Sequence, residues 1–162
     1  MKTQIKEEMI LSGTYDIIVR RADTGEIVDR QHIHNQLTVL NQTLRDSQLM
    51  GTYSAAADAL KIKYFAFGTG TTPASPSDTQ LVSEQYRKQL TTLDNPTPGT
   101  VQSVVSLGTG EANFTIKEIG VFCGPDATGT ANSGTLLSRV NLTIYKNDSL
   151  VVDIVRTDSC VI

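Results

Sequence analysis

A glycine-rich stretch that follows an apolar run has the outline of a phosphate-binding loop. Residues 62–70 read IKYFAFGTG, and Thr71 and Thr72 follow directly. A phosphate cradle needs successive backbone N–H groups, and the P-loop adds a Lys for the phosphates and a Ser or Thr for magnesium. No Gly-Lys-Ser/Thr follows here, Pro73 interrupts the loop, and the third glycine of the dinucleotide-binding pattern is absent. We therefore predict a tight connection after a strand and no nucleotide site.

Two histidines have a spacing that could serve a metal ion. His32 and His34 lie two positions apart, so on a strand both side chains point to the same face. Imidazole binds zinc, but a zinc site needs a third or fourth ligand. Arg30 shares the same face, and its positive charge opposes a bound cation. The sequence therefore predicts exposed strand histidines and no metal ligand.

Two pairs of carboxylates could in principle act as general acid and base. They are Asp78 with Glu84, and Glu111 with Glu118. Nothing in the sequence places either pair at a catalytic separation, and no Gly-x-Ser-x-Gly nucleophile motif is present. We expect no catalytic residue, no cofactor-binding residue and no cofactor, and we predict that the protein is not an enzyme.

Length, charge and hydropathy restrict the function further. The chain has 162 residues, a formal net charge of −3 and a sequence pI of about 5.3. This length suits one domain with a core. The 14 Lys and Arg residues are scattered, so no nucleic-acid partner is expected. The apolar segments are shorter than the roughly 18–20 residues of a membrane span, and residues 1–15 do not resemble a signal peptide. We expect synthesis in a cytoplasm and no membrane partner.

The two cysteines are Cys123 and Cys160, and neither has a CxxC partner. Two thiols are too few for a disulfide scaffold. Partly buried free thiols fit a reducing compartment, but spacing along the chain does not show whether the two are bonded.

In the first half of the chain, apolar and polar residues first alternate as in a strand and then recur at the spacing of a helix. Residues 1–11 have four charged side chains around few apolar positions, and they are predicted to form an N-terminal arm that frays or docks on a neighbour. Residues 14–20 and 27–33 alternate around the turn at Gly25 and predict a hairpin. Leucines then recur at helical spacing, which predicts a helix over 36–50. Strand 62–67 follows, and Ser77 with Asp78 is predicted to cap a short helix that runs to about Gln85.

The second half of the chain consists of short apolar runs separated by turn residues. Strands are expected at 101–107, 112–118, 119–122, 136–145 and 150–156. The NPTPG stretch at 95–99 is a break that we interpret as a loop within one domain. The predicted fold is β-rich (α+β), an antiparallel β-sandwich with one or two short helices. Residues 12–162 are predicted to be a single domain.

The order of these segments resembles structural proteins of tailed-bacteriophage particles, of the tail, baseplate and fibre-adaptor kind. The likeness spans about residues 13–157. The strings that carry it are the TGE turn at 24–26, the Leu-rich segment after Asn35, YFAFGTGTT at 64–72, SDT at 77–79 with Leu81, EANFTIKEIGVF at 111–122 and GTLLSR at 134–139. IKEIGVF at 116–122 is the most specific of them.

The resemblance implies a non-enzymatic virion component present in many copies. Its implied partners are copies of itself and other virion proteins (tail, baseplate or fibre subunits), and its implied location is the virion after synthesis in the host cytoplasm. Typical fibres extend into long repetitive or receptor-binding regions, so a chain that stops at Ile162 favours a short adaptor or completion protein. Alternatives are a head or collar protein, a host-surface carbohydrate-binding module and a hydrolase. With no Trp, five Tyr and four Phe, the chain is poor in aromatic platforms for sugars.

Overall fold

The computed structural model describes residues 10–37 and 61–161, which form ten β-strands. The strands are β1 (Ile10–Arg21), β2 (Ile27–His34), β3 (Gln36–Leu37), β4 (Ile62–Gly68), β5 (Glu84–Gln89), β6 (Thr92–Asp94), β7 (Thr100–Leu107), β8 (Thr115–Cys123), β9 (Thr135–Tyr145) and β10 (Leu150–Val161). Sheet A has the order β2-β1-β10-β7-β6, and sheet B has the order β3-β9-β8-β4-β5. Every ladder is antiparallel.

The two sheets pack face to face around one apolar core. Alternating residues of each strand point inward, as the period of a strand requires. Tyr15 of β1 meets Phe65 of β4 edge to face, with ring centroids 6.5 Å apart. The Tyr15 hydroxyl also lies 3.0 Å from Ser138 Oγ of β9 in a buried hydrogen bond across the sandwich. Full burial of a side chain such as Phe65 contributes about 1.5–3 kcal/mol to stability.

The predicted hairpin and most of the predicted strands are confirmed. β1 pairs with β2, and Gly25 takes a φ of 73° in the turn between them. The Gly25 N–H donates to the Arg21 carbonyl at 3.0 Å. β4, β7, β9 and β10 cover the strands expected at 62–67, 101–107, 136–145 and 150–156. The loop at 95–99 connects β6 to β7, which pair with each other, so it lies within the sandwich.

The prediction of a short helix from Ser77 to about Gln85 is wrong. Residues 79–83 have no helical turn, and β5 begins at Glu84. The backbone N–H groups of this segment bind side chains from elsewhere in the chain. Leu81 N donates to Asn132 Oδ1, and Ser83 N donates to Glu118 Oε1. These contacts replace the i→i−4 bonds that a helix would need.

The helix predicted over 36–50 is wrong at its first two residues and lies outside the described residues for the rest. Gln36 and Leu37 form β3 and pair with Arg139 and Ser138 of β9. No helix occurs in 10–37 or 61–161, so nothing in these ranges forms a helix that could span a membrane. The described fold is all-β.

Two smaller boundaries also differ from the sequence expectation. The strands expected at 112–118 and 119–122 are one strand, β8, with a register shift between Ile116 and Glu118. Ala112 has a φ of 48° and belongs to the preceding turn. β1 begins at Ile10, inside the predicted arm. Residues 1–9 lie outside the described part, so the arm stays a prediction there.

Candidate functional site

Two loops cover the outer face of sheet B and form a third layer, which we call the loop layer. It consists of residues 69–83, between β4 and β5, and residues 124–134, between β8 and β9. A small apolar cluster lies where the loops meet the sheet, and it is separate from the main core. Its members are Ala66, Leu81, Phe122, Ala127 and Leu136.

The side chain of Glu118 anchors the first loop from the middle of β8. Its carboxylate is fully buried, at 0% exposure. Oε1 accepts hydrogen bonds from the backbone N–H groups of Gly70 at 3.1 Å and Ser83 at 2.7 Å. Oε2 accepts from Val82 N at 3.1 Å and from Arg139 Nε at 2.7 Å. Both oxygens therefore have two donors each, which satisfies a buried charge.

Arg139 of β9 extends this network to the far side of the loop. Its Nη1 donates to Asp78 Oδ2 at 2.8 Å, and its Nη2 donates to the Thr72 carbonyl at 2.7 Å. Burial opposes the charge of Arg139, but the hydrogen bonds and charges of Asp78 and Glu118 outweigh it and raise the pKa of the guanidinium. Arg139 thus binds the carboxylate of Glu118 on β8 and, in the loop, the carboxylate of Asp78 and the backbone carbonyl of Thr72.

The glycines of the GTG stretch are needed for this close approach. A Cβ atom on Gly68 or on Gly70 would lie 2.5 Å from Glu118 Oε1, far inside van der Waals contact. The loop does present backbone N–H groups to an anion, as the sequence suggests. That anion is the carboxylate of Glu118 from the same chain, so the position that a phosphate would need is already filled.

A second ion pair anchors the loop at 124–134. Arg87 of β5 pairs with Glu84, with Nε 2.7 Å from Oε1, and the side chains are almost fully buried. Arg87 Nη1 donates to the Ser133 carbonyl at 2.8 Å, and Glu84 Oε2 accepts from Asn132 N at 2.8 Å. The guanidinium also lies 4.1 Å above the ring of Phe122. Arg87 and Glu84 therefore both hold the loop at 124–134 through hydrogen bonds to its backbone.

Glu111 anchors the turn that follows the end of β7. It pairs with Lys88, accepts from the Tyr86 hydroxyl at 3.0 Å and accepts from Gly108 N at 2.8 Å. The hydrogen bond from Lys88 is the largest influence and lowers the pKa of Glu111. Burial and the adjacent Glu111 raise the pKa of Tyr86.

The carboxylate pairs considered from the sequence have different partners in the fold. Glu111 bonds to Lys88 and Tyr86, whereas Glu118 bonds to Arg139. Glu84 bonds to Arg87, whereas Asp78 bonds to Arg139. The fold instead brings Asp78 and Glu118 together on Arg139, a pairing that the sequence spacing did not suggest.

The histidines lie on the exposed face of β2, where the sequence places them. His32 Nδ1 is 2.6 Å from Asp16 Oδ1 on β1, and the rings of His32 and His34 meet edge to face with centroids 5.6 Å apart. Within the described ranges, no group of three or more His, Cys, Asp or Glu side chains is placed to hold a metal ion.

Cys123 is a buried free thiol at the end of β8. Burial is the main cause that raises its pKa to about 11, so the reactive thiolate is scarce at neutral pH. The side chain of Cys160 lies outside the described residues.

The sequence strings noted above meet in the loop layer. The GTGTT loop presents Gly70 and Thr72, the SDT string contributes Asp78, the IKEIGVF string contributes Glu118, and the final GTLLSR string contributes Arg139. Sequence reasoning missed the roles of Arg139 and Arg87. The available signal was an arginine on a strand of otherwise apolar or small residues, as in LLSRV at 136–140.

Comparison with family models, with curated proteins and with solved structures finds no match to this chain. The loop layer is therefore interpreted from its own geometry.

Proposed function

We propose that this protein is a non-enzymatic structural component of a bacteriophage particle, which joins tail, baseplate or fibre parts through symmetric multi-copy assembly. Its partners are copies of itself and other virion proteins, and its place is the virion after synthesis in the host cytoplasm. A head or collar position is the alternative. The resemblance of the sequence strings supports the virion assignment, and the loop layer supports the assembly role.

The observation that carries the proposal is the anchoring of the loop layer by Glu118, Arg139 and Asp78. Loops that order only on binding reduce affinity, because fixing a backbone costs about 1–2 kcal/mol per residue. Here side chains from β8 and β9 fix the loop between Thr72 and Ser83 in advance. Its exposed groups are mainly Thr, Ser, Pro and Gln, with Val82 the exposed large apolar side chain. Such a preformed polar surface suits repeated contacts between subunits.

The charged residues considered for catalysis support the same proposal. Glu118, Glu84 and Glu111 each bind a cation and at least one backbone N–H of a neighbouring loop. These contacts fix the conformation of the loops, and an assembly subunit needs loops of fixed conformation at its contact surfaces.

The test has two independent measurements. The purified protein is examined by native mass spectrometry and by light scattering after size exclusion, and purified particles from producing cells are analysed for this chain by mass spectrometry. We expect a discrete oligomer, or assembly onto another virion protein, and the chain in the particle fraction. A protein that stays monomeric and is absent from the particles would refute the proposal.

A further inference from the structure

The inward-facing side chains of sheet A change from apolar to polar along the length of the sandwich. Strands β1, β10 and β7 are neighbours, so their inward residues form rows across the sheet. Two rows are apolar and buried, and they consist of Val19, Val152 and Leu107 and of Ile17, Ile154 and Val105. The next two rows are Tyr15, Arg156 and Ser103, and then Gly13, Asp158 and Val101. We call these last two rows the polar end of the core.

The side chain of Arg156 is fully buried in the polar end, but its hydrogen bonding is incomplete. Its Nη2 donates to Asp158 Oδ1 at 2.6 Å. Among the residues that the structure describes, Arg156 Nε and Nη1 and Asp158 Oδ2 have no hydrogen-bond partner. Arg139 differs, because all three of its guanidinium nitrogens donate to oxygen atoms of the protein. The ion pair of Arg156 with Asp158 therefore recovers only part of the hydration that it loses on burial.

Two further side chains of the polar end are buried without partners in the described part of the chain. One is Ser103, whose Oγ lies across the β10–β7 ladder from Arg156. The other is Asn35, whose amide occupies the space that a Cβ on Gly13 would need, next to Asp158 on β10. Closing the polar end thus removes water from several polar atoms without replacing their hydrogen bonds, which opposes folding. Closing the apolar rows removes water from hydrocarbon, which favours folding.

From this contrast we propose that the ladder of β1 with β10 opens in two parts. Residues 156–161 and 10–14 detach together from the sandwich, while the rest of the ladder stays paired over the apolar rows. Tyr15 remains in the closed part, because its hydroxyl bonds to Ser138 Oγ and its ring packs edge to face on Phe65. The fold thus contains a hinged strand end that rearranges while the loop layer keeps its shape. The opening needs no partner, so the inference does not depend on the virion role.

Native-state hydrogen exchange of the full-length protein, followed by NMR at a series of low urea concentrations, tests the two-part opening. Exchange through a local opening depends weakly on urea because little surface is exposed, whereas exchange through global unfolding depends steeply on it. We expect the ladder amides of 10–14 and 156–161 to share one weakly urea-dependent opening, with a step in protection between Ile154 and Arg156. A gradual decline toward the chain ends, or the same urea dependence along the whole ladder, would overturn the inference.

A pair of double variants tests whether the polar end causes the opening. Arg156→Met with Asp158→Val replaces the incompletely bonded ion pair by apolar side chains, so we expect the protection of 156–161 to rise about tenfold. The matched control is Arg20→Met with Asp153→Val, because that ion pair also joins β1 to β10 but lies on the opposite face of the ladder. It should leave the step in place. Unchanged or lowered protection in the Arg156 variant, or an equal rise in the control, would refute the proposal, and circular dichroism checks that both variants are folded.

Discussion

At the scale of single residues, the buried ion pairs of Glu118 with Arg139 and of Glu84 with Arg87 hold loops in place. Gly70 and Glu118 are 48 positions apart, and their contact explains why the GTG stretch contains glycines at both ends. The sequence identifies the stretch as an unusual loop and correctly finds no lysine for a phosphate. It cannot show which anion fills the loop, because spacing along a chain does not reveal contacts between distant segments. Arg139 was missed for the same reason.

We predict that Glu118→Gln destabilises the fold although the two side chains have nearly the same shape. Each carboxylate oxygen accepts from two donors. Whichever way the amide points, its NH₂ group faces two of these donors, and Arg139 keeps only Asp78 as a counter-charge. Breaking a buried ion pair typically costs about 3–5 kcal/mol, and we expect a loss of this order in the free energy of unfolding, measured by urea denaturation.

The double variant Glu118→Gln with Arg139→Met provides the control for that prediction. Removal of Arg139 also removes the cation that the amide at position 118 no longer neutralises, so the double variant should be less destabilised than the sum of the single variants. Simple additivity of the two losses would show that the residues do not act as a pair.

The pair formed by Glu111 and Lys88 predicts a dependence of stability on pH. The hydrogen bond from Lys88 lowers the pKa of Glu111 below the ordinary value of 4.5 in the folded state. A lowered pKa contributes stability that is complete above about pH 4.5 and is lost as the pH falls through the folded value. Glu111→Gln cannot titrate, so it should be less stable than the wild type by about 1 kcal/mol at neutral pH, and this difference should shrink below pH 4.5.

Urea denaturation at a series of pH values measures that difference. Glu26→Gln serves as the comparison, because Glu26 pairs with Arg21 on a well exposed surface, and it should change the stability by less than about 0.5 kcal/mol. A Glu111→Gln difference that stays constant from neutral pH to acid would contradict the assignment.

At the scale of elements, local signals predicted the hairpin of β1 and β2, and long-range contacts determined the conformation of the segment after Ser77. Gly25 determines the β1–β2 turn through its own backbone, so the sequence suffices there. The segment after Ser77 has a helix cap, but its N–H groups bind Glu118 and Asn132 instead of a helical turn. Tertiary contacts thus override the local preference, and no pattern within residues 77–85 indicates this.

Gly120 of β8 is the residue on which the first loop packs. A Cβ at this position would lie 2.1 Å from Leu81 Cδ1 and 3.1 Å from Leu136 Cδ1. We predict that Gly120→Ala costs about 1–3 kcal/mol through overpacking, and that Leu81→Ala costs about 2–5 kcal/mol through a cavity. In the double variant the new methyl group occupies part of the vacated space, so its loss should be smaller than the sum.

Chemical denaturation of the four proteins of this cycle measures the coupling. Gly110→Ala is the matched control, because a Cβ there meets nothing within 4 Å, and its stability should stay close to that of the wild type. Additive losses at Gly120 and Leu81 would show that the loop can shift away from the sheet without cost.

At the scale of the whole molecule, the fold is closed by strands from the two ends of the described chain. β1 and β10 are neighbours in the middle of sheet A and pair over twelve residues, from Ile10 with Val161 to Arg21 with Leu150. The sequence predicted both strands and a sandwich, but alternation cannot show which strands are adjacent. Adjacency depends on how two complete sheets share the core, which is a property of the whole chain.

This closure predicts that the chain truncated after Ser149 does not fold. Without β10, the strands β1 and β7 lose their shared partner, and the buried side chains of Val152 and Ile154 leave the core. Large apolar residues removed from a core each cost several kcal/mol, and two of them approach the about 5–15 kcal/mol that stabilises a whole domain. Circular dichroism and urea titration should show no cooperative transition in the truncated chain, and a peptide of residues 150–162 added in trans should restore one.

A peptide with Ile154→Asp is the control that should fail to restore it, since it places a charge in the core between the sheets. A cooperative transition without any peptide would mean that sheet A is complete without its central strand, and that the pairing of β1 with β10 does not hold the sandwich together.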